Sequence, residues 1–209
     1  MPARQPQPLR LPAVWLFTDA RLGDALFAAA RALPPGSGIV IRHDDLPRGA
    51  RWRLVRRLAR LARARGHMLL VAGSPAEARR WGADGVHLRQ RAIRGAAQAR
   101  RTGLVVTMPV HDAHEARAAR RAGAHGAFVS PLHPTRSHPE TPALGRRAWL
   151  ALARLGGAAP VALGGMIPAR ARALCRASGG GAARWAAIGH WLEKAAKRRA
   201  RQKRNAVPI

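Results

Sequence analysis

Short runs of β-branched and other apolar residues alternate along this chain with longer stretches in which apolar residues recur every three or four positions. The first pattern fits a strand buried on both faces, and the second fits a helix with one apolar stripe. Eight such pairs follow one another. Strands are predicted at Val14–Thr18, Gly38–Arg42, Met68–Ala72, Gly85–Leu88, Leu104–Thr107, Ala127–Ser130, Val161–Gly164 and Trp185–Ile188. Helices are predicted near Asp24–Leu33, Arg51–Arg65, Pro75–Trp81, Gly95–Arg101, Ala113–Ala122, Arg146–Leu155, Pro168–Ala177 and Trp191–Arg199. Ser74-Pro75 and Ile167-Pro168 suit helix starts, because proline in the first turn loses no intrahelical hydrogen bond. Gly66, Gly82, Gly103 and Gly123 each fall where a left-handed helix cap is wanted. Eight strand–helix units in a row predict an α/β protein, a single-domain (β/α)8 barrel with a closed parallel sheet.

Length agrees with that reading. At 209 residues the chain sits at the short end of the roughly 200–250 residues of a complete barrel. The barrel is expected over residues 13–199, with a loose N-terminal extension at 1–12 and a basic tail at 200–209. Met1 to Leu11 is rich in Pro, Gln and Arg and lacks the apolar run of a secretory signal. Nothing approaches the ~20 uninterrupted apolar residues of a membrane helix. One cysteine, Cys175, allows no internal disulfide, so a reducing cytoplasm is expected. The pattern carries no signal for an oligomeric state.

Net charge is +28, which raises the question of nucleic acid. The three lysines, Lys194, Lys197 and Lys203, lie near the C-terminus, so the body is basic through arginine alone. Those arginines sit in Ala/Arg/Leu helices such as Arg51–Arg65, where they are expected to form a solvated outer face. Nucleic acid is therefore not the expected partner, and only the tail from Lys194 to Arg204 is reserved for anionic surfaces.

Barrel enzymes place their chemistry on the loops that follow the strands. Those exits read, in order, Asp19; Arg42-His43-Asp44-Asp45; Gly73-Ser74; His87 with Gln90; Thr107 with His111; Ser130 to His138; Gly164-Gly165; and Gly189-His190. His, Ser, Thr and Gly dominate, and carboxylates are few. The loop Ser130-Pro131-Leu132-His133-Pro134-Thr135-Arg136-Ser137-His138 joins hydroxyls to cations, a combination suited to phosphate or diphosphate oxygens. Gly164-Gly165 ends the seventh strand just before a helix, where bare backbone N–H groups can seat a phosphate or merely make a tight turn. His111 is of the residue type that suits a proton shuttle, while Asp112 beside it reads as a helix cap. His87, His111, His133 and His138 could also gather as zinc ligands, though no local spacing supports this. Cys175 reads as small core filler, His114 and His125 as surface residues, and Trp52, Trp81, Trp149 and Trp191 as helix residues packed on the barrel exterior.

Trp81-Gly82-Ala83-Asp84-Gly85-Val86-His87-Leu88-Arg89-Gln90 resembles the Gly-Ala-Asp-Gly-Val-His-Leu-Gly-Gln signature of the thiamine phosphate synthase and thiazole tautomerase family. The resemblance extends from Val14 to Trp191. Leu16-Phe17-Thr18-Asp19 is similar to the family's first-strand Leu-Ile-Thr-Asp, and Ile39-Val40-Ile41-Arg42 to Val-Gln-Leu-Arg. Val110-His111-Asp112-Ala113-His114-Glu115-Ala116 resembles Val-His-Thr-x-Glu-Glu-Ala. Pro134-Thr135-Arg136-Ser137-His138 resembles Pro-Thr-x-Thr-Lys, and Val161-Ala162-Leu163-Gly164-Gly165-Met166 resembles Val-Ala-Ile-Gly-Gly-Ile.

The resemblance implies a transferase of thiamine biosynthesis that joins a hydroxymethylpyrimidine diphosphate to a thiazole phosphate and releases diphosphate. It implies that Arg42, Thr135, Ser137 and His138 hold the diphosphate and that Gly164 and Gly165 hold the thiazole phosphate. His111 becomes the acid/base candidate, with His87, Gln90, Thr107 and Ser130 lining the substrate site. Mg²⁺ is the family's cofactor, yet the family's Asn-Asp after the third strand falls here on Ala72-Gly73, and its second metal-binding acid falls on Ala92. Further departures are Val40 and Asp44 around the second-strand arginine, His138 for the loop lysine, and Pro109 for a serine. Only Asp19, Asp44 and Asp45 remain as acids near the mouth. Two other readings therefore stand beside the synthase: a metal-free tautomerase, and an inactive barrel that binds a phosphorylated ligand or nucleic acid.

Overall fold

The computed structural model describes residues 9–135, 139–178 and 183–205. Its elements are β1 (Val14–Thr18), α1 (Leu26–Ala32), β2 (Gly38–Ile41), α2 (Arg48–Ala64), β3 (Met68–Ala72), α3 (Pro75–Arg80), β4 (Gly85–His87), α4 (Gly95–Arg101), β5 (Val105–Val110), α5 (Ala113–Arg121), β6 (Gly126–Val129), α6 (Gly145–Gly156), β7 (Ala159–Ala162), α7 (Pro168–Ala177), β8 (Arg184–Ala187) and α8 (Gly189–Asn205). All strands pair in parallel with their sequence neighbours, and β8 returns to β1 to close the barrel. The protein is a single-domain (β/α)8 barrel. Among the described residues no helix is long and apolar enough to cross a membrane.

Alternation along the strands sends side chains to two separate cores. One set, including Leu16, Ile39, Val71, Val86, Val106 and Val129, packs outward against the helices. The other, including Trp15, Phe17, Val40, Leu70, Phe128 and Val161, fills the barrel. Trp15 is the largest interior side chain, and space for it comes from missing atoms across the β1–β2 pair. A Cβ on Gly38, its partner in register, would lie 2.1 Å from the indole. A Cβ on Gly85 would lie 2.2 Å from the carbonyl of Val105.

The strand starts are pinned by side-chain acceptors. The Ser37 N–H donates to His67 Nδ1 at 3.1 Å, the Leu69 N–H to Asp84 Oδ2 at 2.7 Å, and the Val106 N–H to His125 Nδ1 at 2.9 Å. His125, expected at the surface, is thus a half-buried backbone anchor.

Several expected boundaries shift for identifiable reasons. Residues after β1 form a 3-10 turn, Ala20–Ala25, whose first N–H groups are capped by Asp19, so α1 begins only at Leu26. Helix α2 starts one turn earlier than expected, directly after Pro47. The N-terminal stretch read as loose includes Leu11, which is buried at the barrel's lower end against Gly126. Trp15 Nε1 also donates to Pro12 O at 2.7 Å. The tail read from residue 200 continues α8 to Asn205. Trp81, Trp149 and Trp191 are buried as expected, but Trp52 is 41% exposed with Arg56 stacked on its ring. Cys175 is only half-buried.

Gly85→Ala forces a methyl into backbone, and overpacking of this kind costs about 1–3 kcal/mol or more. Urea denaturation of the variant is expected to show a midpoint shift of that size with an unchanged slope.

Candidate active site

A cavity of about 550 Å³ opens at the C-terminal ends of the strands. Its floor is aromatic. Phe17, His87 and Phe128 meet edge to face with centroids 4.8–5.3 Å apart, and Trp15 sits beneath Phe128 at 5.4 Å. His87 comes from the last position of β4, where the pleat turns it inward. Its Nδ1 lies 3.0 Å from the Thr107 hydroxyl, in register on β5. Burial pushes the His87 pKa down to about 3, helped by the charges of Arg42, His111 and Arg89. The imidazole is therefore neutral near pH 7 and serves as a polar aromatic tile rather than a cation.

Arginines line the β2–β4 side. Arg42 and Arg89 face the cavity together with Asp44. Asp44 pairs with Arg89 and, at 3.2 Å, with Arg51. Arg51 contradicts the expectation of a solvated outer face on α2, since only 7% of it is exposed. Its Nε donates to Arg42 O at 2.9 Å, its Nη2 donates to Ala72 O, and its guanidinium lies over the Trp81 ring. Asp19 is held by Arg21 and lies 3.9 Å from Arg42. His43, at φ 40, rests in the left-handed region that non-glycine residues seldom adopt, with its Nδ1 3.0 Å from Thr18 Oγ1.

His111 lines the cavity at the end of β5 and is half exposed. Both its backbone N–H (2.8 Å) and its Nδ1 (2.7 Å) meet Glu115 Oε2, one turn along α5. A carboxylate accepts only, so Nδ1 carries the proton and Nε2 is the basic nitrogen of the neutral ring. Asp112 caps α5 through the Glu115 N–H, which fixes Glu115 in turn.

Two expected substrate contacts do structural work instead. Thr107 is fully buried beneath the cavity and holds His87. Gln90 is absent from the cavity wall, its Nε2 donating to Pro109 O at 2.7 Å.

The β6–β8 side is built from backbone. Ser130, Pro131 and Thr135 line the cavity, and the Ser130–Pro131 peptide is cis. Ser137 and His138 lie outside the described residues. The loop is stitched to β7 by Leu132 N–H to Leu163 O (2.8 Å) and His133 N–H to Gly164 O (3.2 Å). Gly164 (φ 94) and Gly165 (φ 60) line the wall in conformations only glycine takes readily. A Cβ on either would strike this loop, 2.7 Å from Pro131 and 2.6 Å from Pro134 O. Next to them the N-terminus of α8 contributes Gly189 and His190.

The donor set does not fit the Mg²⁺ that the resemblance implies. Magnesium takes carboxylate and water oxygens. Ala72, Gly73 and Ala92 offer no side-chain oxygen, and Asp19, Asp44 and Glu77 are each paired with guanidinium groups. Among the described residues no three His, Cys, Asp or Glu side chains cluster as a metal site, and His87, His111 and His133 do not form one.

Fold and cavity together define a (β/α)8 barrel with a candidate active site at its strand ends, where such barrels carry their chemistry. Comparison with known proteins narrows the class. The family described as thiamine monophosphate synthase matches residues 14–189. The chain is 36% identical over 170 residues to a thiamine-phosphate synthase of Chromobacterium violaceum, an alignment spanning 78% of this chain and 82% of that protein. Its backbone matches the thiamine phosphate pyrophosphorylase of Pyrococcus furiosus with a TM-score of 0.71 at 21% identity, covering 93% and 96% of the two chains. The YdjI aldolase of Escherichia coli K12 shares the fold alone, with a TM-score of 0.60 at 15% identity over 92% and 90% of the chains. The chain belongs to the thiamine monophosphate synthase family.

His87 generates a pH prediction. Its folded pKa lies below the ordinary 6.5, so the unfolded chain binds more protons between about pH 6.5 and about pH 3. Stability contributed by the neutral ring is complete above pH 6.5 and is lost as pH falls through this window, with a slope of up to ~1.4 kcal/mol per pH unit. Burial lowers His43, His67, His125, His133 and His190 as well, which adds in the same direction. Chemical denaturation across pH 4–7 is expected to give a shallower pH slope for His87→Gln than for the parent.

Proposed function

We propose that this protein is a transferase that joins a hydroxymethylpyrimidine diphosphate to a thiazole phosphate with release of diphosphate. The observation that carries this reading is the two-sided cavity: arginines at one wall, a Gly-Gly turn and a helix N-terminus at the other, and an aromatic floor between them. A pyrimidine ring suits a floor of Phe17, His87 and Phe128, since aromatic rings pack well edge to face. Arg42 and Thr135, with Ser137 and His138, hold the diphosphate. Gly164 and Gly165 seat the thiazole phosphate through backbone N–H groups, aided by the positive end of α8. The bond between the pyrimidine methylene carbon and the diphosphate oxygen breaks, its electron pair leaving with diphosphate. The thiazole nitrogen then forms the new C–N bond. Cationic side chains lower the barrier by stabilising the departing charge. His111, braced by Glu115, is placed to move a proton at the mouth.

A second reading has its own observation. The His111–Glu115 pair leaves Nε2 basic, as a metal-free tautomerase acting on a thiazole carboxylate phosphate would require. For either reading a reducing, cytoplasmic setting accords with a single cysteine, Cys175, which can form no internal disulfide.

Incubating the purified protein with both precursors and following thiamine phosphate by chromatography distinguishes these. Product is expected from the parent, and Gly164→Ala, which pushes Pro131 away, is expected to raise KM for the thiazole phosphate. Absence of product with metal-independent proton exchange in the thiazole, lowered about 10²–10⁴-fold by His111→Ala, shifts the assignment to the tautomerase.

A further inference from the structure

We propose that Arg51 provides from within the protein the positive charge that a divalent cation would bring to the β2–β3 side of the mouth, so that the site takes a diphosphate group without metal. The proposal rests on the transferase reading and concerns the same cavity. On α2 the neighbouring arginines Arg53, Arg56, Arg57 and Arg60 are exposed, and Arg51 is buried. Burying a guanidinium is costly unless its donors are satisfied, and here the satisfying groups are the ends of two strands, Arg42 O and Ala72 O. The charge is therefore fixed at the rim of the barrel and cannot swing into solvent.

That position matters because of what surrounds it. A side chain at residue 73 would start 3.5 Å from Arg51 Nη1 and 3.1 Å from Glu77 Oε2. The space beside Gly73 is thus bordered by Arg51 and Glu77, and Glu77 itself lies 3.5 Å from Arg48. On this side of the mouth five guanidiniums, from Arg21, Arg42, Arg48, Arg51 and Arg89, outnumber the four carboxylates of Asp19, Asp44, Asp45 and Glu77. A net positive rim repels a divalent cation and draws an anion. Arg42 and Arg89 reach the cavity directly, whereas Arg51 stands behind Asp44 as a positioning residue. Asp44 then acts as the resting counter-ion of Arg51 and Arg89 and competes with an incoming diphosphate for them.

Isothermal titration of the full-length protein with inorganic diphosphate, once in EDTA and once in Mg²⁺, tests this. Binding is expected in EDTA, and Mg²⁺ is expected to tighten it by no more than about threefold. Arg51→Met, confirmed as folded by its melting curve, is expected to weaken binding in EDTA by at least ~10-fold. Asp44→Asn removes the competing carboxylate without touching the Arg51 side chain and is expected to tighten binding severalfold, still without metal. Binding that appears only with Mg²⁺ overturns the proposal and leaves the transferase reading standing. A folded Arg51→Met with parental affinity, or an Asp44→Asn that binds more weakly, also overturns it. Failure to bind diphosphate in either condition removes the transferase reading and the proposal together.

Discussion

The aromatic floor formed by Phe17, His87 and Phe128 is the constraint on which the rest of the site depends. A closed barrel must fill its interior with side chains from alternate strand positions, and here the filling is complete up to the level of these three rings. Below them lie Trp15, Val40 and Leu70; above them lies open space. An imidazole in that layer must give up its charge to be buried, and the Thr107 hydroxyl satisfies the polar nitrogen that remains. The floor is consequently neutral, so the charges that could act on a ligand are confined to the rim.

The rim divides into two unlike halves. On the β2–β4 side the positive charge is carried by long side chains whose placement depends on backbone acceptors, with Arg51 holding the ends of two strands. On the β6–β8 side backbone groups are exposed where Gly164 and Gly165 have no side chains and adopt positive φ, among the side chains of Ser130, Thr135, His190 and Glu193. The loop after β6 lies directly on those glycines, hydrogen-bonded to Leu163 and Gly164, so the two loops form one unit. Two ring-bearing substrates, each with its anionic group directed to a different wall, are what the proposed reaction would bring to this division.

Much of this was legible in the chain. Strand–helix alternation gave the barrel because burial on both faces forces continuous apolar strands, and helices need only one stripe. The segment Ala83-Asp84-Gly85-Val86-His87 now has a mechanical reading, residue by residue. Asp84 accepts from Leu69 and fixes the start of β3, Gly85 leaves room for the Val105 backbone, Val86 packs outward, and His87 turns into the floor. What stayed hidden were the contacts that join distant parts of the chain. Gln90 and Thr107 sit at strand exits like the true cavity residues, and only the folded geometry shows that Pro109 and His87 have claimed them. Glu115, four residues after His111, carries an i,i+4 signal, but in the sequence Asp112 stands nearer and suits a helix cap, which hides the longer-range partner.

Arginine content illustrates the same limit from the other side. In a chain with a net charge of +28, composition alone gives every arginine the same meaning, and the sensible average is a solvated face. That average holds for most of α2, where exposed guanidiniums interact with water and contribute little to a specific site. It fails at Arg51 because the pitch of α2 turns its first buried position toward the strand ends, where Arg42 O and Ala72 O accept its hydrogen bonds. A buried cation with backbone acceptors is expensive to create and hard to move. Such a residue differs from its neighbours in what it does to the field at the mouth, and no count of charges could have separated it from them.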